Sequence, residues 1–152
     1  MTIDVQALSD RAEISDLIVR YTRALDNHQW DEFDSIFTED AHIDYTVFGG
    51  TAGDLAATKK FLADSMTVFT KTQHMLGLPE ITLDGDQATS VTPCHNPMLL
   101  GQGKEAKVMV CSLWYHHRLI RTPKGWRIAE LREERNFMTM LSGGDLLPPS
   151  AS

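Results

Sequence analysis

The sequence predicts an α+β domain, and two observations carry that reading. Apolar residues recur at three- and four-residue spacing up to about Phe69, and from there on alternation with explicit turns takes over. No internal repeat, linker or low-complexity stretch precedes the tail, so the 152 residues read as one domain, 1–152. A chain of that size buries about 68–70% of its unfolded surface, enough for a core and a pocket.

Ser9 or Asp10 is placed to cap a first helix running to about Leu25, with Glu13 at the capping-box position. Ile14, Leu17, Ile18, Tyr21 and Leu25 form one stripe, which puts Tyr21 on the buried face. A short second helix repeats Trp30, Phe33, Ile36 and Phe37. Ala41 to Tyr45 alternates as a strand, and Gly49, Gly50 and Gly53 mark a loop. A third helix runs from Asp54 to about Phe69, burying Leu55, Phe61, Leu62, Met66 and Phe69.

Strands are then expected over 72–77, 81–83, 87–100, 106–121 and 126–140. The turns between the later ones are Asp84-Gly85-Asp86, Gly101-Gln102-Gly103 and Thr122-Pro123-Lys124-Gly125. Pro93 and Pro97 cannot donate to a ladder, so the strand from Gln87 is expected to be interrupted, bulged or at an edge there. In the strand from Lys107, Met109, Cys111, Leu113 and Tyr115 face one way, and Val108, Val110, Ser112, Trp114 and His116 the other. Both faces are partly apolar, which suits helices on one side and a neighbouring subunit on the other. The tail, about 141–152, with its paired glycines and prolines, reads as a loop or packing arm.

The net charge of −7 argues against a nucleic-acid backbone or an anionic membrane as partner. No apolar run approaches the roughly 20 residues that span a bilayer, and the start has no signal-peptide pattern, so the chain reads as cytoplasmic. Cys94 and Cys111 lack metal-type spacing and read as two buried thiols, with a cross-strand disulfide as the other reading. His116 and His117 are neighbours on a strand and point to opposite faces. No cysteine or carboxylate stands at ligand spacing, so no metal and no cofactor are expected. His28 and His42 read as surface residues.

His74 is the residue with most chemical content. Histidine titrates near neutrality, so it can take a proton and return it. Asp26, closing the first helix, is a carboxylate able to orient it and stabilise its protonated form. On residue type alone, a packed core histidine and a solvated turn aspartate fit as well. Tyr21 and Tyr45 can donate phenolic hydrogen bonds to a substrate oxygen or simply pack. His95 and Asn96 sit at the proline-broken strand, and alternation sends only one of them inward unless a bulge intervenes. Arg132 and Arg135, in Arg132-Glu133-Glu134-Arg135, read as a solvated face. Phe61, Met98 and Trp114 belong to an apolar set, mostly core, part of which would line a pocket for a flat or greasy ligand.

The segments YTRALD, HQWDEF, DAHIDY, TQHMLG, LDGDQAT, WYHHRLI and GWRIAEL resemble, over most of the chain, the SnoaL-like branch of the nuclear-transport-factor-2-like superfamily. That branch includes scytalone dehydratase, bile-acid 7α-dehydratase, hexachlorocyclohexane dehydrochlorinase, ketosteroid isomerase and polyketide cyclases. The resemblance implies a cone-shaped, curved, mostly antiparallel sheet wrapped by the three helices, with a small apolar molecule inside. It puts Asp26 and His74 on the Asp–His dyad, Tyr21 on the tyrosine five positions before the aspartate, and Tyr45 on the second tyrosine of scytalone dehydratase. Asn96 stands near where the bile-acid enzyme has an aspartate.

The activity so implied is a cofactor-independent lyase or isomerase acting on a small, cyclic, mostly apolar substrate such as a polyketide, steroid or aromatic-like compound. His74, Asp26, Tyr21 and Tyr45 would be catalytic, with His95, Asn96, Trp114, Phe61 and Met98 contacting the substrate. Homodimers or homotrimers are common in the family. The alternatives are a non-catalytic carrier of a hydrophobic molecule, or a structural partner like the β subunits of ring-hydroxylating dioxygenases.

Overall fold

Ile14, Leu17, Ile18, Tyr21 and Leu25 are each at most 3% exposed, so the stripe spaced along the first helix is the surface on which the sheet curls. The computed structural model describes residues 4–142. Three helices, α1 (Val5–Asp26), α2 (Phe33–Ile36) and α3 (Leu55–Ser65), accompany eight strands. These are β1 (Phe37–Asp44), β2 (Ala52–Gly53), β3 (Phe69–Thr72), β4 (Met75–Leu76), β5 (Glu80–Asp84), β6 (Gln87–Leu100), β7 (Lys107–Thr122) and β8 (Gly125–Ser142).

The sheet order is β2-β1-β8-β7-β6-β3, with β4 and β5 also paired to β6. Among the described residues only β1 and β8 pair in parallel. Register shifts between β7 and β8 at Ser112/Leu113 and Arg118/Leu119 add local twist, which curls a long sheet. The result is a half-barrel of mixed sheet with the helices against its concave face, an α+β cone. Among the described residues no helix is long and apolar enough to cross a membrane.

The first helix starts earlier than its sequence suggests. Its N-cap is Asp4, which accepts from the Gln6 N–H at 3.1 Å. Asp10 and Glu13, which read as capping residues, are taken up by the β7–β8 hairpin instead. Asp10 accepts from Arg121 at 2.7 and 2.8 Å and from Trp126 Nε1 at 3.1 Å. Glu13 accepts the Trp126 backbone N–H at 2.8 Å. Gly125 makes this approach possible: its φ is +96°, and a Cβ there would collide with the Glu13 carboxylate.

The third helix stops at Ser65, and Phe69 opens β3 after a 3-10 turn. The prolines do not break β6, which pairs with β7 without a register shift from Gln87 to Leu100. Their carbonyls accept from Gly77 and Gln73 on the other side, so their missing N–H groups also face away from β7. What is broken is that neighbouring edge, split into β3, β4 and β5. The expected strand over 72–77 is therefore two short ones, and Gln73 and His74 lie between them. Leu141 and Ser142 belong to β8, and the rest of the expected arm lies outside the described residues.

The Asp10 hydrogen bonds to Arg121, working against burial and aided by Trp126 and Gln6, hold its carboxyl well below the usual carboxylate range. Asp10→Ala is expected to cost about 2–3 kcal/mol in urea unfolding, below the cost of a fully buried pair because Arg121 stays 30% exposed. A depressed folded pKa means stabilisation that is complete above the unfolded value of about 3.9 and lost as pH falls below it. The stability gap between wild type and Asp10→Asn is therefore expected to narrow below about pH 4.

Candidate active site

Asp26 is the last residue of α1, at the carbonyl end where an exposed negative charge costs about 0.3–1 kcal/mol. Three donors offset that placement. Thr72 Oγ1 donates to Oδ1 at 2.8 Å, the His74 backbone N–H to Oδ2 at 2.9 Å, and His74 Nδ1 to Oδ1 at 2.7 Å. Burial pushes the Asp26 carboxyl up, but the bonds and charge of His74 with Thr72 outweigh it and hold the group below its usual value. An ionised carboxylate only accepts, so Nδ1 carries a proton, and in the neutral ring the lone pair is on Nε2.

Nε2 meets Asn96 Nδ2 at 2.9 Å, so the amide donates into that lone pair. The other end of the amide, Oδ1, is buried with no partner. His74 and Asn96 form part of the wall of a cavity of about 300 Å³ inside the cone. The rest of the wall is mainly apolar: Leu25, Phe48, Phe61, Met66, Phe69, Met98, Met109, Leu113 and Met138. Asp26 lies behind His74, in an outer groove with Thr72 and Lys71.

Tyr21 and Tyr45 also line the cavity, their hydroxyls 2.6 Å apart. One hydroxyl donates to the other, which leaves a single O–H free to donate elsewhere. Burial raises both phenols above their ordinary range, so the pair is neutral. Gly50 lets Tyr45 sit there, since a Cβ at that position would lie 2.7 Å from the Tyr45 Cβ.

Asp26, His74, Tyr21, Tyr45, Asn96, Phe61 and Met98 are thus brought to one cavity or directly behind its wall. His95 and Trp114 are not. Without a bulge between β6 and β7, Asn96 facing in turns His95 out, where it is exposed. Trp114 stands between buried Leu113 and Tyr115 on β7 and is 40% exposed on the outer face. Arg132 and Arg135 are exposed, the latter with its guanidinium 6.0 Å from the centre of the Phe48 ring. His116 bonds Glu134 at 2.6 Å and His117 bonds Ser90 at 2.9 Å, and no cluster among the described residues is suited to a metal. Cys94 and Cys111 are free and buried, their thiols pushed up to about 12 and about 11 by burial.

Glu133 is the site residue that the sequence reading missed, hidden in an apparently solvated run of charge. It lines the cavity, paired across the sheet with Tyr115. Burial, reinforced by the negative charge of Asp44, pushes its carboxyl up to about 8. Strand alternation from Leu131, an apolar residue 1% exposed, is the signal that would have turned it inward.

A curled α+β cone of this kind is the nuclear-transport-factor-2-like fold. Residues 6–132 match the SnoaL-like domain, and the chain belongs to that family. An uncharacterised protein of Mycobacterium tuberculosis is 40% identical over 139 residues, covering 91% of this chain and 94% of that one. Hexachlorocyclohexane dehydrochlorinase of type 3 from Novosphingobium barchaimii shares the fold at a TM-score of 0.81 and 20% identity, over 97% of this chain and 100% of that one. A nuclear-transport-factor-2-like superfamily protein from Salmonella enterica matches at 0.70 and 16%, over 84% and 91%.

The tautomer is open to direct measurement. Nitrogen-15 NMR of His74 is expected to show an Nδ1–H imidazole in wild type and a mixture of tautomers in Asp26→Asn, whose amide can also donate. Asp26→Ala, which strips the acceptor from two His74 N–H groups and from Thr72, is expected to cost about 2–3 kcal/mol in chemical unfolding.

Proposed function

We propose that this protein is a cofactor-independent lyase or isomerase in which His74 removes a proton from a small, cyclic, mostly apolar substrate. The observation that carries this reading is the 2.7 Å bond from Asp26 to His74 Nδ1, which leaves Nε2 as a base on the wall of an apolar cavity. The hexachlorocyclohexane dehydrochlorinase fold agrees with such chemistry, and the family's range of activities means that the residues must decide.

In the proposed step Nε2 takes a proton from a carbon made acidic by a neighbouring carbonyl or leaving group. Asp26 holds the ring in place and stabilises the imidazolium. Asn96 fits both states of the ring. Its amide N–H occupies the lone pair of the neutral Nε2, so the amide rotates away before that lone pair takes the substrate proton, and the rotated amide then presents its unpartnered Oδ1 to the protonated ring. The free O–H of the Tyr21–Tyr45 pair stabilises charge developing on a substrate oxygen, and low polarity around it strengthens that bond. Loss of water, loss of halide and double-bond migration share these parts.

The test is turnover of a panel of cyclic β-hydroxy ketones, chlorinated cyclohexanes and β,γ-unsaturated cyclic ketones. His74→Ala is expected to lower the rate on whichever compound reacts by about 10²–10⁴-fold, with circular dichroism unchanged. Full turnover by a folded His74→Ala protein would rule the mechanism out.

A further inference from the structure

Glu133 has no role in the scheme above, and its surroundings are unusual for an acid. It lies in a cavity whose wall is mainly apolar, and burial, with the negative charge of Asp44, disfavours its ionised form. Among the described residues it has neither a hydrogen-bond partner nor an ion pair. Arg135, two residues along on the same face, packs over Phe48 and does not neutralise it. A carboxyl so placed keeps its proton at neutral pH and is a hydrogen-bond donor that lacks an acceptor.

Its position relative to His74 is set by the sheet. Asn96, which touches His74, pairs with Cys111 on β7, whereas Glu133 pairs with Tyr115 on the same face of that strand. Four residues along a strand is about 13 Å between backbone positions, from which both side chains reach inward. Tyr115 packs edge-on against Tyr21 at 5.6 Å, so the Tyr21–Tyr45 pair lies at the Glu133 end. Glu133 and the Tyr21–Tyr45 pair therefore form a cluster of hydrogen-bond donors in the cavity wall, displaced along the sheet from His74.

We infer that the Glu133 carboxyl, lining the cavity beside the Tyr21–Tyr45 pair, donates a hydrogen bond to an oxygen of the bound molecule, so that the substrate is an apolar ring system bearing a carbonyl or hydroxyl oxygen. Resting on the proposed His74 chemistry, this assigns the site to oxygen-bearing rings in preference to halogenated ones, because organic chlorine is a poor hydrogen-bond acceptor. It also gives the ring an orientation, with its oxygen towards the tyrosines and its acidic C–H towards His74.

The donor is lost when Glu133 ionises. The titratable groups around it come from several elements: Tyr21 on α1, Asp44 and Tyr45 at the end of β1, Cys94 on β6, Cys111 and Tyr115 on β7, and Arg135 on its own strand, with His74 elsewhere in the same cavity wall. Burial raises the three phenols, and it lifts the thiols to about 12 and about 11. Asp44, bonded to Thr46, stays an anion because its carboxyl is lowered. His74 is controlled by repeating the measurement in a His74→Gln background.

The test compares calorimetric affinities for 1-tetralone and for tetralin, the same bicycle without the oxygen, at pH 6.5 and pH 9.5. The tetralone-to-tetralin affinity ratio is expected to fall about 3–10-fold from pH 6.5 to pH 9.5, and by as much in Glu133→Leu at pH 6.5. Glu133→Gln, whose amide still donates, is expected to keep the high ratio at both pH values. His74→Gln is expected to keep the wild-type pH response. A ratio at pH 6.5 unaltered in Glu133→Leu, a pH response surviving in Glu133→Gln, or failure of the folded wild type to bind tetralone would overturn the assignment. Because binding is measured without turnover, that result leaves the His74 mechanism standing, whereas failure of the His74→Ala test removes the assigned direction of the C–H and leaves the Glu133 hydrogen bond to be judged by binding alone.

Discussion

Asp26 holds the candidate site together by accepting three hydrogen bonds at the end of a helix that repels it. Two of its donors come from His74 and the third from Thr72, so one carboxylate fastens the last turn of α1 to the link between β3 and β4. The link needs such an anchor because it has left the ladder. Its neighbour β6 carries Pro97 at this point, and the His74 N–H bonds to the carboxylate. Freed from strand geometry, the imidazole stands with one edge on Asp26 and the other on the cavity wall. The feature that is costly for the helix is thus the one that orients the imidazole.

Three buried or half-buried acids show how the surroundings, more than residue type, set the state of a carboxyl. Asp10 is ionised because Arg121 meets it almost in bidentate fashion, and its work is structural: it closes the β7–β8 hairpin on α1. Asp26 is ionised because His74 and Thr72 supply donors. Glu133 has no such partner and is driven towards the neutral form. The overall charge of −7 contains no trace of this division. It appears only once the chain is folded and each acid has acquired neighbours.

Much of the fold was legible because its signals are local. The α1 stripe, the span of β6, and the Asp84–Asp86 and Thr122–Gly125 turns all depend on spacing or on residues that favour one backbone conformation. The failures have tertiary causes. Asp10 and Glu13 have the pattern of a helix cap, and only the distant Arg121 and Trp126 claim them. The 72–77 segment alternates like a strand, and its division comes from prolines on a different strand. Of the site, His74, Asp26 and Asn96 were readable as chemistry, but which of His95 and Asn96 faces inward depends on a register that no local pattern contains. Glu133 was concealed because its flanking residues, Arg132 and Glu134, are exposed, and a run of four charges looks uniform until alternation from Leu131 is applied.

The same alternation explains why the cavity is sparse in polar groups yet decisive about orientation. Each long strand offers the interior one residue in two, and those of β6, β7 and β8 that line the cavity are apolar apart from Asn96, Cys111, Tyr115 and Glu133. A ligand held chiefly by apolar contact would find several poses of similar energy, since such contact has no preferred direction. Hydrogen bonds do, and burial makes an unmet one costly. With few polar groups, and these at separated places along the sheet, a single pose satisfies them together. In the chemistry proposed for His74, that pose sets the reacting carbon against an imidazole that Asp26 has already aligned.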